Sequence, residues 1–349
     1  MFGKNIKFKN FNLKKKKLNK KKKIFNIYKN LIKEKNEVIL SLDKNYKDTF
    51  SKKIVKKLKK INHILLIGMG GSILGAKAIY NFLNPKNKKF VFVDNFSNIP
   101  LSIDNKKKIT LIISKSGNTL ETISNSNILI DKKSTNIFLT ENKQSYLMKL
   151  ANKLKSEIIH HNNFIGGRYS VLSEVGMLPA QLMGFKPERF RRLNYLIKDK
   201  RLIDSLVSNV SNILSLRKKK TNSIILNYDF KSNDFFKWYQ QLVAESLGKK
   251  SKGILPIISS MPCDNHSLLQ LYLDGPKNNF FTFFSAQNAK TDMINNRWIQ
   301  KSHNYLKNKN FSKIIYAQKK ATEKVFYEKK LPFRSFDIKK RNEEVLGEL

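Results

Sequence analysis

Between Ile64 and Ile159 the sequence alternates short unbroken apolar runs with stretches of helical periodicity, and few folds accept that texture. A strand with one face in water alternates apolar and polar residues, whereas a strand covered on both faces is apolar throughout. His63-Ile64-Leu65-Leu66-Ile67, Phe90-Val91-Phe92-Val93, Thr110-Leu111-Ile112-Ile113, a run over 136–139 and Glu157-Ile158-Ile159 are of the second kind. Helical patterns over 72–83, 119–130 and 145–155 separate them. Strands of that kind joined by helices imply an α/β fold whose parallel sheet is flanked by helices.

A second unit of similar texture follows a helical connection over 188–216. It has strands expected at 223–228 and 280–284 and a helix over 234–247. A later helical pattern over 319–327 leads to Pro332 and what reads as a short polar tail. The length of 349 residues suits two such domains. The expected division is a basic N-terminal appendage over 1–51, a first domain over 52–187 and a second over 188–349. Within the appendage, Lys14 to Lys17 and Lys20 to Lys23 form a basic run expected to be solvated or disordered. Helical spacing of Ile24, Ile27, Leu31 and Ile32 follows it.

The charge balance is extreme, with 69 Lys+Arg against 26 Asp+Glu and a net +43. Such a field suggests nucleic acid or an anionic membrane as partner. The excess, however, is almost all lysine, is spread from Lys14 to Lys340, and travels with abundant asparagine and isoleucine, as codon drift in an A/T-rich genome would produce. A nucleic-acid reader more typically concentrates arginines and exposed aromatics on one face. No nucleic-acid partner is therefore expected. No run reaches the roughly 20 apolar residues needed to span a bilayer, and the first 23 residues have no apolar signal-peptide core. A lone cysteine, Cys263, rules out an internal disulfide. A cytoplasmic protein without a membrane partner is the expectation.

Five segments carry candidate chemistry. Gly68-Met69-Gly70-Gly71-Ser72 follows a strand and opens a helix, so backbone can approach a ligand at Gly71 while Ser72 and the helix start offer hydrogen bonds to an anion. A dinucleotide fingerprint would need glycine at 73, where the chain has Ile73, although Asp94 at the end of the next strand keeps that reading open. A plain structural turn is the other alternative. Ser114-Lys115-Ser116-Gly117-Asn118-Thr119-Leu120-Glu121-Thr122 also lies between strand and helix. It gathers the hydroxyls of Ser114, Ser116, Thr119 and Thr122 where a cap needs one, with Lys115 as a further charge, and so suggests a metal-free phosphate cradle.

Gly166-Gly167-Arg168-Tyr169-Ser170 sets a fixed charge after two glycines, suited either to a developing oxyanion or to pairing with a structural carboxylate. In the 234–247 helix, Gln241 and Glu245 stand four residues apart on one face. A glutamate near a helix C-terminus faces the negative end of the dipole, which disfavours ionisation and improves it as a proton acceptor. A solvated surface glutamate is the competing reading. Asp264-Asn265-His266 places a histidine in a polar loop, where it serves as an acid or base near neutrality or is merely structural. No clustering of histidines, cysteines or carboxylates suggests a metal site.

Taken in order, these five segments resemble the glucose-6-phosphate isomerase family, which is built from two sugar-isomerase (SIS-type) domains. The family's Gly-rich turn matches Gly70-Gly71-Ser72, its S-K-[ST]-x-x-T-x-E-T phosphate loop matches 114–122, and its G-G-R-[FY]-S segment matches 166–170. Its Q-x-x-x-E-S-x-G-K segment matches 241–249, and the histidine of H-x-x-x-Q falls on His266. The resemblance implies interconversion of an aldose and a ketose 6-phosphate without metal or organic cofactor. Glu245 would move the C2 proton, Arg168 would stabilise the enediolate and His266 would help open the ring. Gly71, Ser72, Ser114, Lys115, Ser116, Thr119, Thr122 and Gln241 would bind substrate. It further implies a homodimer with a shared active site, the histidine coming from the partner. The positive field would attract such an anionic sugar phosphate. The family continues past a segment like 342–349 into a helix and a D-Q-x-x-V-E-x-x-K motif, whereas this sequence stops at Leu349. On that ground a sugar-phosphate-binding protein with impaired catalysis and poorer solubility is the alternative expectation.

Overall fold

The computed structural model describes residues 4–13, 18–96, 108–287 and 291–349, so the lysines at 14–17 lie outside the described residues. Ten strands occur among them: β1 (Ile6–Lys9), β2 (His63–Gly68), β3 (Lys89–Val93), β4 (Lys108–Ile113), β5 (Thr135–Glu141), β6 (Glu157–His161), β7 (Asn222–Asn227), β8 (Leu255–Ser260), β9 (Asn279–Ala286) and β10 (Phe333–Ile338). They form two five-stranded sheets, in the orders β3-β2-β4-β5-β6 and β1-β10-β9-β7-β8. The first sheet is wholly parallel. In the second, only β1 runs antiparallel.

Two units contain these sheets, and they interleave in sequence. One consists of Leu31–Tyr195 with Asp234–Glu245, the other of Met1–Asn30, Leu196–Asn233 and Ser246–Glu348. Each sheet shows the same order of connection. The first parallel strand of the unit lies beside both the second and the third, and later strands extend outward from the third. The chain order therefore reverses between β2 and β4 in one sheet and between β7 and β9 in the other. Crevices open at such switch points because the two following connections leave on opposite faces.

The apolar runs become core as expected. In the first unit Leu65, Ile67, Val93, Ile112 and Phe138 pack with Leu147 and Ala151 of the helix Tyr146–Lys153. In the second, Ile224, Leu226, Phe281 and Phe283 surround Phe326 of the helix Phe311–Glu328, whose ring meets Phe281 edge-on at 4.8 Å.

Three strands escape a reading based on apolar runs. β1 falls in the residues expected as an appendage, yet Ile6 and Phe8 are buried while Lys7 and Lys9 face out, the alternation of an edge strand against β10. β8 is the opposite edge and carries Pro256, which an edge tolerates. β10 and the helix Glu343–Glu348 replace the expected polar tail. β10 looks polar because its inward side chains are charged and paired. Arg334 donates to Thr282 at 3.0 Å and to Asn209 at 3.1 Å. Asp337 meets Lys319, and Ser335 donates to Glu323 at 2.6 Å.

Lys319 is fully buried and donates to Glu323 Oε1 at 2.7 Å, Ser335 Oγ at 2.8 Å and Asp337 Oδ1 at 2.5 Å. Burial by itself pushes both carboxyls up, but the charge and hydrogen bonds of Lys319 outweigh it and hold both below the usual carboxylate range. Their contribution to stability is thus present above the ordinary carboxylate range and is lost as pH falls through the lowered values. Lys319→Met would leave two buried carboxylates without that ammonium and is expected to cost about 3–5 kcal/mol near neutrality. Denaturant titrations of wild type and variant at neutral and acid pH check this, and the gap between them should narrow as the carboxyls protonate.

Candidate functional site

The turn after β2 and the loop after β4 stand side by side at the switch point of the first sheet, where a ligand crevice is expected. After β2 the chain makes the 3-10 turn Gly70–Ser72 and enters the helix Leu74–Leu83. Gly70 has φ of +51°, and a Cβ there would lie 2.8 Å from Gln241 Nε2. At Gly71 a Cβ would lie 2.2 Å from the carbonyl oxygen of Gly167. The two glycines therefore admit the Gln241 helix and the Arg168 turn to contact with the backbone. Ser170 Oγ closes the second approach, donating to Gly167 O at 2.7 Å and reaching Gly71 O at 3.3 Å.

After β4, Ser114 is buried with its hydroxyl 2.9 Å from that of Thr119. Thr119 is the N-cap of the helix Leu120–Leu129, but its side chain makes no capping bond. Ser116 Oγ accepts from the Asn118 N–H at 3.2 Å. Thr122 is buried, and among the described residues its hydroxyl has no hydrogen-bond partner. The hydroxyls are thus gathered around a helix start without being used as caps. Lys115, expected to bind substrate, is engaged by backbone carbonyls. Its ammonium donates to the carbonyls of Asn163 at 2.8 Å and Ile165 at 3.1 Å, tying this loop to the segment that leads into Arg168.

Glu245 ends the portion of the helix Asn233–Leu247 that belongs to this unit. Gln241 Nε2 donates to Glu245 Oε1 at 2.8 Å, and Arg168 Nη1 approaches Oε2 at 3.4 Å. The Arg168 guanidinium also lies over the Tyr169 ring, 4.5 Å from its centroid. The Glu245 side chain is 47% exposed, so this ion pair contributes little to stability. The carboxylate is half exposed, and each of its oxygens meets one donor, from Gln241 or from Arg168.

His266 lies in the second unit, exposed on the 3-10 turn Cys263–His266. Asp264, not among the expected site residues, shapes this turn. Asp264 accepts from Ser259 Oγ at 2.8 Å, the Ser260 N–H at 2.8 Å and Ser267 Oγ at 3.1 Å. Its signal was the aspartate two residues before the histidine. The second unit also has a cavity of about 320 Å³ at the ends of β7 and β9, lined by Asp229, Ser285, Gln287 and Tyr316 among others. None of the five segments contributes to it. Among the described residues no group of three or more His, Cys, Asp or Glu is placed to hold a metal ion.

Comparison with known proteins identifies the family of the chain. The family model described as phosphoglucose isomerase matches residues 16–259. A glucose-6-phosphate isomerase of Methanocaldococcus jannaschii is 32% identical, over 93% of this chain and 84% of that one. One of Mycoplasmopsis synoviae is 29% identical over 89% and 80%. Among solved structures, a glucose-6-phosphate isomerase from Chlamydia trachomatis superposes with a TM-score of 0.69 at 16% identity, covering 99% of this chain and 81% of that one. A protein of Thermus thermophilus described as hypothetical reaches 0.78 at 21% identity, over 95% and 88%. At such identities the two structures speak to the fold alone.

The contact at Gly71 yields a prediction. In Gly71→Ala the new methyl meets backbone rather than a flexible side chain, so the Gly167 segment must move. A loss of about 1–3 kcal/mol is expected. Thermal melts measure it, and an unchanged melting temperature would show that the two turns are not packed as described.

Proposed function

The chain belongs to the phosphoglucose isomerase family, and from that membership we infer that it interconverts glucose 6-phosphate and fructose 6-phosphate, with Glu245 as the base. The observation that carries the assignment of the base is the paired support of its carboxylate, Gln241 on one oxygen and Arg168 beside the other.

The chemistry follows from what each group offers. In the open-chain aldose the C2–H is acidified by the C1 carbonyl, and Glu245 takes that proton. The C–H electron pair becomes the C1–C2 double bond of a cis-enediolate, and negative charge develops on oxygen. The Arg168 guanidinium, fixed in charge and planar, is the donor for that oxyanion. A proton passes between O1 and O2, Glu245 returns its proton to C1, and the ketose results. His266, at the end of its short turn, serves ring opening as acid and base near neutrality. The turn at Gly71 and Ser72 and the hydroxyls of Ser114, Ser116, Thr119 and Thr122 hold the 6-phosphate, a role supported by their place at a switch point beside a helix start. Lys115 joins them from its position on the Asn163 and Ile165 carbonyls, and Gln241 orients the base.

The reading includes two sugar-isomerase domains, about 52–187 and 188–349, and a cytoplasmic homodimer in which the partner's copy of the histidine completes the site. Among the described residues no helix is long and apolar enough to cross a membrane. No observation favours binding without turnover.

Steady-state conversion of fructose 6-phosphate tests the assignment. Glu245→Gln keeps the size and the Gln241 contact but cannot accept the proton, so kcat is expected to fall about 100- to 10,000-fold. Equal turnover in wild type and variant would remove Glu245 as the base.

A further inference from the structure

Arg168 sits on the 3-10 turn Gly167–Leu172, between the end of β6 and the helix Glu174–Leu182. The residues on either side of that connection, His161 and Glu174, are joined by a contact of 2.5 Å between Nδ1 and Oε1, with both side chains fully buried. The other imidazole nitrogen lies 2.9 Å from the carbonyl of Ile165, which only accepts, so Nε2 carries a proton. Burial pushes the Glu174 carboxyl up, but hydrogen bonds from His161 and from the Asn162 N–H at 2.8 Å outweigh it and hold the group below the usual range. His161 thus engages both ring nitrogens inside the fold, one on the Ile165 carbonyl and one on the Glu174 carboxyl.

The surroundings fix it further. Tyr46 donates its hydroxyl to Glu174 Oε2 at 3.4 Å, and burial pushes that phenol far up, so it stays a donor. Asn162 donates to Glu37 at 2.8 Å. At the far end of the turn, Arg191 donates to Leu172 O from Nε at 3.0 Å and from Nη2 at 2.8 Å, and pairs with Asp48 at 2.6 Å. The connection over 161–174 is therefore clasped by His161 and Glu174, held at its far end by Arg191, and tied between them by Lys115 on the Asn163 and Ile165 carbonyls and by Ser170 on Gly167.

A buried carboxylate with a basic partner is a poor means of stabilising a fold, because desolvation consumes most of the attraction and apolar side chains of similar volume serve as well. What it supplies is direction. We propose that the His161–Glu174 pair is a positioning device for Arg168, holding its turn so that the guanidinium stands at reacting distance from Glu245 and the developing oxyanion. The inference rests on the reading of Glu245 and Arg168 given above. Both side chains are fully buried and so closed to a ligand, and none of the five sequence segments contains either residue.

The test is kinetic, on the full chain with fructose 6-phosphate, using Glu174→Gln, Glu174→Asp, Arg168→Ala and the double variant Arg168→Ala with Glu174→Gln. Misplacement of a catalytic group by about 1 Å costs up to about 100-fold. Glu174→Gln is expected to lower kcat about 10- to 100-fold, with KM changed less than about two-fold because the phosphate-holding hydroxyls lie on another loop. In the Arg168→Ala background the same change should cost no more than about a further two-fold, because the residue it acts through is gone. Unchanged kcat in Glu174→Gln, or losses that multiply in the double variant, would overturn the positioning role while leaving Arg168 in place. Full turnover in Arg168→Ala would instead sink the reading beneath it. Should Glu174→Gln fail to fold, Glu174→Asp, which keeps the charge and withdraws it by one methylene, decides the matter. A fall in kcat at unchanged melting temperature supports the proposal, and wild-type kcat overturns it.

Discussion

Backbone against backbone at Gly71 and Gly167 is the contact on which the arrangement of the first unit depends. One glycine lies in the turn after β2 and the other opens the turn carrying Arg168, and no side chain fits at Gly71. Parallel strands deliver both turns to the same edge of the sheet, so the contact follows from topology once residue 71 lacks a Cβ. Gly70 makes the equivalent space for Gln241, and the helix bearing Glu245 is thereby brought to the same place. Two missing methyl groups thus decide where an arginine, a glutamine and a glutamate from distant parts of the sequence meet.

Against this, the lysine excess is a background. A net +43 spread over the whole chain supplies a field but no geometry. Outside the site, several acidic side chains are largely withdrawn from water and paired. Glu174 faces His161, Asp48 faces Arg191, and Glu323 and Asp337 share Lys319. At Glu174, Glu323 and Asp337 hydrogen bonds and a neighbouring basic group outweigh the cost of burial, whereas at Asp48 burial outweighs Arg191 and pushes the carboxyl up. These clusters hold turns and a strand in place where an apolar core would leave them free to slide.

The apolar strands of both sheets and the segments around Gly71, Ser114, Arg168, Glu245 and His266 were legible because unbroken apolar runs and glycine-bearing loops after strands have few structural uses. β10 was not, because Arg334, Ser335 and Asp337 read as surface until their partners Asn209, Thr282, Glu323 and Lys319 are known, and those lie on other elements. β1 was hidden by its lysines, although its alternation was present. His161 and Glu174 escaped for a related reason. A histidine at a strand end and a glutamate at a helix start each have an ordinary local explanation, and only the 2.5 Å between them reveals a pair.

The choice of arginine at the points of highest geometric demand fits the same logic. In a sequence where lysine supplies nearly all of the positive charge, some of the few arginines stand where one group bonds in several directions within a plane. Arg191 reaches Leu172, Tyr46 and Asp48 at once. Arg334 joins Thr282 to Asn209, and Arg341 meets the buried Asp229. At position 168 the requirement is for a charge that stays fixed while its plane is stacked on Tyr169 and its edge faces Glu245. An ammonium on a flexible stem offers the charge but neither the plane nor the edge. The local demand at Arg168 is therefore one that the composition of the rest of the chain does not satisfy, and the turn around it is built to hold that plane still.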